Sequence, residues 1–476
     1  MWLKNAENKK RWPGVSWCAA AVIGIVYSMN TAAVCSWAAV SDVVFASESE
    51  QDFLDLALPG LPDAASLAGV GQTFPELKLP VFPEMLPTRY SSVWYDRKPT
   101  VKSQGSYGTC WALAATSALE SALLPKERIV FSADHLALHN AFTVPVNAGG
   151  DARMTMAYLS GWQGPVTEAE DPYGDGESPD GLLPAVHVQE IQLLDGADRQ
   201  EIKAAVQKYG AVQTSLYMSR ETVLPEAGYY NEVTSAYYDS KKETQNHEIL
   251  ILGWDDSFSR FSFSEIPDMD GAFICQNSWG EEFGDQGIFY VSYADANIAG
   301  TAMAYTKIEP ADNYDVIYQT DDCGWQGRQG YDDGECWFAN VYCADGKEQL
   351  LAAGFYAVGE NTSYELYLVQ SPADTADFSK RSLLKSGTFQ WAGFYTVELP
   401  EAVLLDEGEY FAVLVHVKVP EVKNPVAVEY KTGSDTQNVT TEGKYGFISH
   451  DGISWEHTEK RYGSNVCLKA YTDRTD

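Results

Sequence analysis

The sequence predicts two folded regions in series: a mixed α+β region over 86–310, then an all-β, jelly-roll-like sandwich over 311–476. Three observations carry this. A chain of 476 residues exceeds one ordinary core. As far as Pro310, helical text ("WALAATSALESALL", "RQEIKAAVQKYG") alternates with buried-strand text ("HEILILGW", "GIFYVSY"). Beyond it come short β-rich runs, "YELYLVQ", "FYTVELP", "YFAVLVHVKV" and "VAVEYKT", divided by turn text such as "DEGE", "KTGSD" and "SHDG". Short strands at regular spacing, without helical periodicity, are the pattern of a sandwich.

In chain order, residues 1–46 read as a secretory signal. Lys4, Lys9, Lys10 and Arg11 precede an uncharged run from Trp12 to Ser41, and small Ala46 offers a cleavage position. The run is also long enough to remain as a membrane anchor, which stays the alternative. Residues 47–85, rich in Pro and Leu, read as a pro-segment or linker. A helix begins at Cys110, with Trp111 in its first turn, and stops before Pro125. Another spans "RQEIKAAVQKY" and ends at Gly210.

Composition narrows the function. With 45% hydrophobic and 13% aromatic residues the chain is globular. A net charge of -34 argues against a nucleic-acid partner, because phosphates need clustered Lys and Arg. No Cys/His cluster has zinc spacing and no twelve-residue carboxylate loop suits calcium, so neither metal nor cofactor is expected. Cys275 reads as a buried thiol. Cys323, Cys336, Cys343 and Cys467 allow two bridges or isolated thiols, and both remain open. His135 and His139 read as surface or helix residues after the capping text "FSAD".

The chemistry centres on Cys110. A thiol attacks as its thiolate, and a helix N-terminus or a nearby imidazolium stabilises that charge. Gly108 would let the chain turn tightly into the helix. His247 opens a strand-like run 137 residues later, and Asn277 lies 167 residues from Cys110. The Asn amide oxygen can accept the ring's Nδ1–H and fix its tautomer. Cys, His and Asn in this order, far apart, form the arrangement of thiol proteases.

Three blocks make the resemblance specific. "QGSYGTCW", "NHEILILGW" and "NSWGEEFGDQGIFYV" resemble, in family order, the papain-family (C1) cysteine peptidases. "FSADHL", "NAGGD" and "GPVTEAEDPYG" are weaker echoes, and the likeness covers about residues 86–308. It implies a two-lobed papain-like fold, a helical lobe beside a β-rich lobe. It implies Cys110 as nucleophile and His247 as base, resting as thiolate and imidazolium. Asn277 would orient His247, with Trp279 shielding their bond. Gln104 and the Cys110 N–H would form the oxyanion hole, where one donor is worth roughly 2.7–4 kcal/mol. Gly149 and Gly150 would line the substrate cleft. Glu248, beside the base, would border the P2 pocket and favour Arg or Lys there. Tyr107 and Ala148 stand where many relatives carry a disulfide, so that bridge is absent.

Within 313–473, "FANVYCA", "GTFQWAGFYTVELPEAVLLDEGEYFAVLVHV" and "NVCLKAYT" resemble the lectin-like sandwich appended to some secreted bacterial C1 peptidases. The expected protein is therefore a secreted or cell-surface endopeptidase acting on protein or peptide substrates. A glycan or cell-surface ligand of the sandwich is a candidate partner, and a membrane is one only if the leader is retained. The alternative is a catalytically idle adhesin that binds glycan or protein through the sandwich.

Overall fold

The computed structural model describes residues 86–374 and 376–475. The expected leader and pro-segment, residues 1–46 and 47–85, lie outside the described residues. Among the described residues no helix is long and apolar enough to cross a membrane.

Four helices shape the first region: α1 (Cys110–Leu123), α2 (Ala133–Leu138), α3 (Ala152–Ser160) and α4 (Arg199–Tyr209). Every residue of α1 from Cys110 to Ser121 is buried, so it is a central helix with no solvent face. It ends where Leu124 turns extended ahead of Pro125. Its one buried carboxylate, Glu120, is matched by Lys102 Nζ at 2.7 Å. Ser132 and Asp151 cap α2 and α3 by accepting from backbone N–H groups of their first turns. Gly210 ends α4 at φ 120°, a conformation that favours glycine.

The strands of this region are β1 (Arg89–Ser91), β2 (Val186–Leu194), β3 (Val212–Leu216), β4 (Tyr230–Asn231), β5 (Ala236–Tyr237), β6 (His247–Asp255), β7 (Ala272–Gln276), β8 (Ile288–Ser292) and β9 (Ala302–Pro310). All nine residues of β6 are buried, as its unbroken apolar text requires. It pairs with β3, β7 and β1.

The rest is β: β10 (Val316–Tyr318), β11 (Gly327–Gln329), β12 (Glu335–Cys343), β13 (Glu348–Ala357), β14 (Thr362–Gln370), β15 (Ser382–Phe389), β16 (Ala392–Leu405), β17 (Tyr410–Lys418), β18 (Val426–Tyr430), β19 (Gly446–Ser449), β20 (Glu456–His457), β21 (Ser464–Val466) and β22 (Leu468–Arg474), with a short helix α5 (Thr458–Tyr462). One face of the sandwich is a six-stranded sheet in the order β15-β14-β17-β12-β19-β20. The other does not stop at the sandwich edge. Its order β10-β22-β13-β16 runs on through β2-β9-β3-β6-β7-β8-β5-β4, and with β1 makes a 13-stranded sheet. At the seam Ala392 pairs with Leu193 and Phe394 with Ile191. Local sequence text carries no sign of this fusion.

The core follows the same logic. One buried cluster joins Leu113, Leu119 and Tyr158 of the helices to Phe338, Phe355 and Val415 of the sandwich. A second holds Ile202, Val206, Ile249, Trp254, Phe273 and Phe289 between α4 and the β-rich lobe. Each buried Phe or Ile contributes about 1.5–3 kcal/mol relative to exposure. Ser160 and Tyr356 hydroxyls meet at 2.9 Å across the helix–sandwich boundary.

Two expectations change here. The six described cysteines form no disulfide among themselves, so the bridges considered among Cys323, Cys336, Cys343 and Cys467 are not made and the reading as unbridged thiols holds. His135 is a helix residue, in α2, but not a surface one: it is 3% exposed, its Nδ1 lies 2.6 Å from the Tyr158 hydroxyl, and its ring stacks on His139. Capping text marks where α2 starts but not which of its faces packs inward.

Candidate active site

Cys110 is the first residue of α1 and is buried. The Thr109 side chain does not cap the helix, and no acidic residue occupies its first turn. The helix dipole and first-turn N–H groups therefore bear on the thiol uncompensated. Thr109 Oγ1 instead lies 2.5 Å from the Tyr173 hydroxyl.

His247 opens β6 opposite Leu216 of β3 and is 5% exposed. Its Nε2 meets Asn277 Oδ1 at 2.8 Å. The Ser278 N–H also donates to that oxygen at 2.8 Å. An oxygen accepts, so Nε2 carries the proton and Nδ1 presents a lone pair. The sequence reading put this bond on Nδ1, and the structure moves it to Nε2. The reason is register. Gln276 pairs with Leu250, three residues beyond His247, so Asn277 is no cross-strand partner and meets the distal ring nitrogen. Burial pushes the His247 ring down to about 4, the Asn277 bond opposes this, and the Arg220 charge adds to it. Trp279 tilts against the imidazole with ring centroids 5.0 Å apart.

Gln104 is fastened from the other side of the chain. Its backbone N–H donates to Ser278 O at 2.7 Å, and Gly280 N–H donates to Lys102 O. These bonds join the block before Cys110 to the block after Asn277, 174 residues apart by the Gln104–Ser278 pair. The Gln104 amide is oriented at both ends: Oε1 accepts from Ser278 Oγ at 2.8 Å, and Nε2 donates to Tyr107 O at 2.9 Å. The amide's second N–H is the one an oxyanion could use.

Gly149 and Gly150 meet the same loop. Gly149 sits at φ 88°. A Cβ on Gly150 would lie 2.2 Å from the Trp111 ring, so packing against Trp111 excludes a side chain there regardless of substrate. Gly108 is not at positive φ. A Cβ on it would come within 3.0 Å of the Asn147 carbonyl, so close backbone approach, not a tight turn, is its requirement. In place of the absent disulfide, the Tyr107 ring packs edge-on against Tyr173.

Glu248 is 5% exposed and turned inward. Gln213 Nε2 donates to its carboxylate, while the Tyr305 hydroxyl donates to Gln213 Oε1 at 2.6 Å. The structure thus gathers Cys110, His247, Asn277, Gln104 and Trp279 into one locality, with Glu248 in the packing beneath.

Sequence reasoning missed three neighbours. Ser278 orients Gln104. Tyr173, whose phenol burial pushes up to about 12, donates to Gln104 O at 3.1 Å and contacts Thr109. Arg220 lies over Trp279 with its guanidinium carbon 5.2 Å from the ring centroid. Ser278 stood inside a recognised block; Arg220 had no local signal.

Comparison with known proteins fits this geometry. Residues 91–307 match the family described as papain family cysteine protease, and residues 317–472 match the lectin like domain. Cathepsin L of Sarcophaga peregrina is 25% identical over 217 residues, covering 43% of this chain and 58% of that protein. Cathepsin K of Mus musculus is 26% identical over 237 residues, covering 46% and 67%. The chain thus spans less than two thirds of the Sarcophaga relative. Among solved structures, the clostridial cysteine protease Cwp84 after propeptide cleavage superposes with a TM-score of 0.71 at 22% identity, covering 81% of this chain and 99% of that one. The cysteine protease and lectin-like domains of Cwp84, a surface layer associated protein of Clostridium difficile, give 0.69 at 22% identity, covering 82% and 89%. At that identity the likeness is one of fold.

Proposed function

We propose, from the premise that residues 91–307 belong to the papain family of cysteine proteases and 317–472 to the lectin like domains, that this chain hydrolyses peptide bonds through Cys110. The observation that carries the reading is the His247 Nε2–Asn277 Oδ1 bond of 2.8 Å. It leaves Nδ1 as the basic nitrogen in a site that also holds an uncapped helix N-terminus and an oriented Gln104 amide.

In this reading Nδ1 takes the Cys110 proton and Sγ attacks the substrate carbonyl carbon. The oxyanion is held by the Gln104 amide and the Cys110 N–H. His247 passes the proton to the leaving nitrogen, the amine departs, and a thioester remains. Water then adds to the thioester, giving its proton through His247 to the departing sulfur. Because burial alone favours the neutral ring, the resting imidazolium depends on the thiolate beside it. Glu248 is proposed to influence the P2 pocket from beneath, through Gln213, whose amide donates to its carboxylate.

The reading includes a leader over 1–46, a pro-segment over 47–85, the peptidase over 86–310 and the sandwich over 311–476. It also places the enzyme outside the cell or on its surface, acting as an endopeptidase on protein or peptide substrates. The surface-layer association of the Cwp84 neighbour supports that location. A glycan or other cell-surface group is the proposed ligand class of the sandwich.

The test is mass spectrometry after treatment with an epoxysuccinyl thiol-protease inhibitor. A single adduct at Cys110, abolished in His247→Ala, is expected. A folded, processed sample that stays unmodified and cleaves no peptide would overturn the reading.

A further inference from the structure

Beyond β3 the chain forms a loop pinned beside the base. Asn246 N–H donates to Leu216 O, and Met218 N–H donates to Asn246 Oδ1 at 2.8 Å. Ser219 and Thr222 then hydrogen-bond each other three ways, closing a compact turn around Arg220 and Glu221. The turn holds Arg220 at the surface, directly beside the site.

Its guanidinium reaches across the site. It lies over the Trp279 ring, and Nη2 donates to Gly105 O at 3.4 Å, on the loop between Gln104 and Cys110. Among the described residues no carboxylate is within ion-pair distance of it; the adjacent Glu221 carboxylate feels its charge without closing on it, in a chain with 67 acidic and 33 basic residues. A guanidinium has five N–H donors. One is engaged by Gly105, and the others leave room for a bidentate carboxylate beside the Trp279 ring.

The side of the site follows from chemistry. His247 must protonate the leaving nitrogen, so the leaving part of the substrate passes the His247–Trp279 side. Gly149 and Gly150 belong to the opposite wall, against Gly108 and Trp111.

We propose that Arg220, laid on Trp279, is a carboxylate-binding subsite for the leaving part of the substrate. It takes an Asp or Glu side chain just after the cut, or a free C-terminal carboxylate close behind it. This rests on the peptidase reading and adds to it a charge preference.

The experiment uses the full, processed chain and two sets of quenched fluorescent peptides. In the first, only the residue after the cut varies, as Glu, Gln or Lys. In the second, a short leaving segment ends in a free carboxylate or an amide. The readout is a ratio of kcat/KM within each enzyme form. Expected is a preference of about fivefold to tenfold for the carboxylate, between an exposed and a desolvated ion pair. Arg220→Glu reverses it and Arg220→Lys keeps part of it. A preference in the first set alone assigns the side chain; one in the second alone assigns the C-terminus. Turnover with no charge preference in either set overturns the subsite and leaves the peptidase reading standing. No turnover and no adduct at Cys110 overturns both.

Discussion

Between the helical lobe and the β-rich lobe, the joint at the site is made of polar side chains, Gln104 on Ser278 and Arg220 reaching to Gly105, beside the His247–Asn277 bond within the β-rich lobe. Between the first region and the sandwich, the joint is a backbone ladder from β2 to β16 backed by Phe394, Tyr356 and Phe355. In the proposed reading the first joint keeps polar groups for a substrate, at some cost in stability. The second satisfies its own groups and excludes water. A lectin-like domain on a flexible linker could be removed without harm. One whose strands continue the sheet that carries His247 is expected to support the candidate site as well as carry a ligand.

The largest expected effect lies at the first joint. His247→Ala should lower kcat/KM by roughly 10⁴-fold, the scale of losing a base that acts as one unit with its nucleophile. Its melting temperature should stay within about 3 °C of the parent, because the residue removed serves chemistry more than packing. Calorimetry on the inactive variant checks this, and a large loss of stability would erase the contrast between the joints.

At the second joint, Phe394→Ala should cost about 3–5 kcal/mol, the usual range for emptying a fully buried Phe site. Phe394 is 0% exposed and pairs with both Tyr356 and Ile191. Both regions should then unfold together in a single, lowered transition. Two transitions, with the peptidase melting unchanged, would break the comparison by making the sandwich a separable module.

Gln104→Ala tests the polar joint more gently. Removing one oxyanion donor should lower kcat/KM about 10²- to 10³-fold. Ser278→Ala, which releases Gln104 Oε1 without deleting the amide, should lose less. Equal losses in both variants would mean that Ser278 does more than orient Gln104.

The two joints also differ in how far the sequence discloses them. Cys110, His247 and Asn277 each sit in a local text that states its own requirement: a helix start after glycines, a polar residue opening an apolar strand, an amide before "SWG". Their convergence could be read because the chemistry needs all three. The Ala392–Leu193 pairing joins residues with nothing in common locally, and strand alternation does not say which edge meets which. The Nε2 bond was misjudged for a related reason, since the pairing of Gln276 with Leu250, three residues past His247, is a property of the β6–β7 ladder and not of either strand alone. Arg220 stayed hidden because an exposed Arg in a loop looks the same in text whether it faces solvent or a cleft.

His135 provides the smallest test, and it bears on how dry the packing of α2 against α3 is within the helical lobe. Burial pushes its ring down to about 4 from the ordinary 6.5, and the neighbouring His139 adds to that, while Asp171 and Glu170 oppose it. The folded state therefore holds the neutral ring. Between those two values the unfolded chain binds the proton and the folded one does not, so this group favours unfolding as pH falls from 6.5 towards 4 and has no effect above 6.5. His135→Gln retains a group able to bond the Tyr158 hydroxyl but cannot titrate. The variant should start less stable near neutrality, because the His139 stack is lost. Its melting temperature should then fall less than the parent's between about pH 7 and about pH 4.5, the slopes differing by up to one proton. Parallel slopes would show that water reaches His135 between α2 and α3, and that this packing is less dry than the seam traced through Phe394.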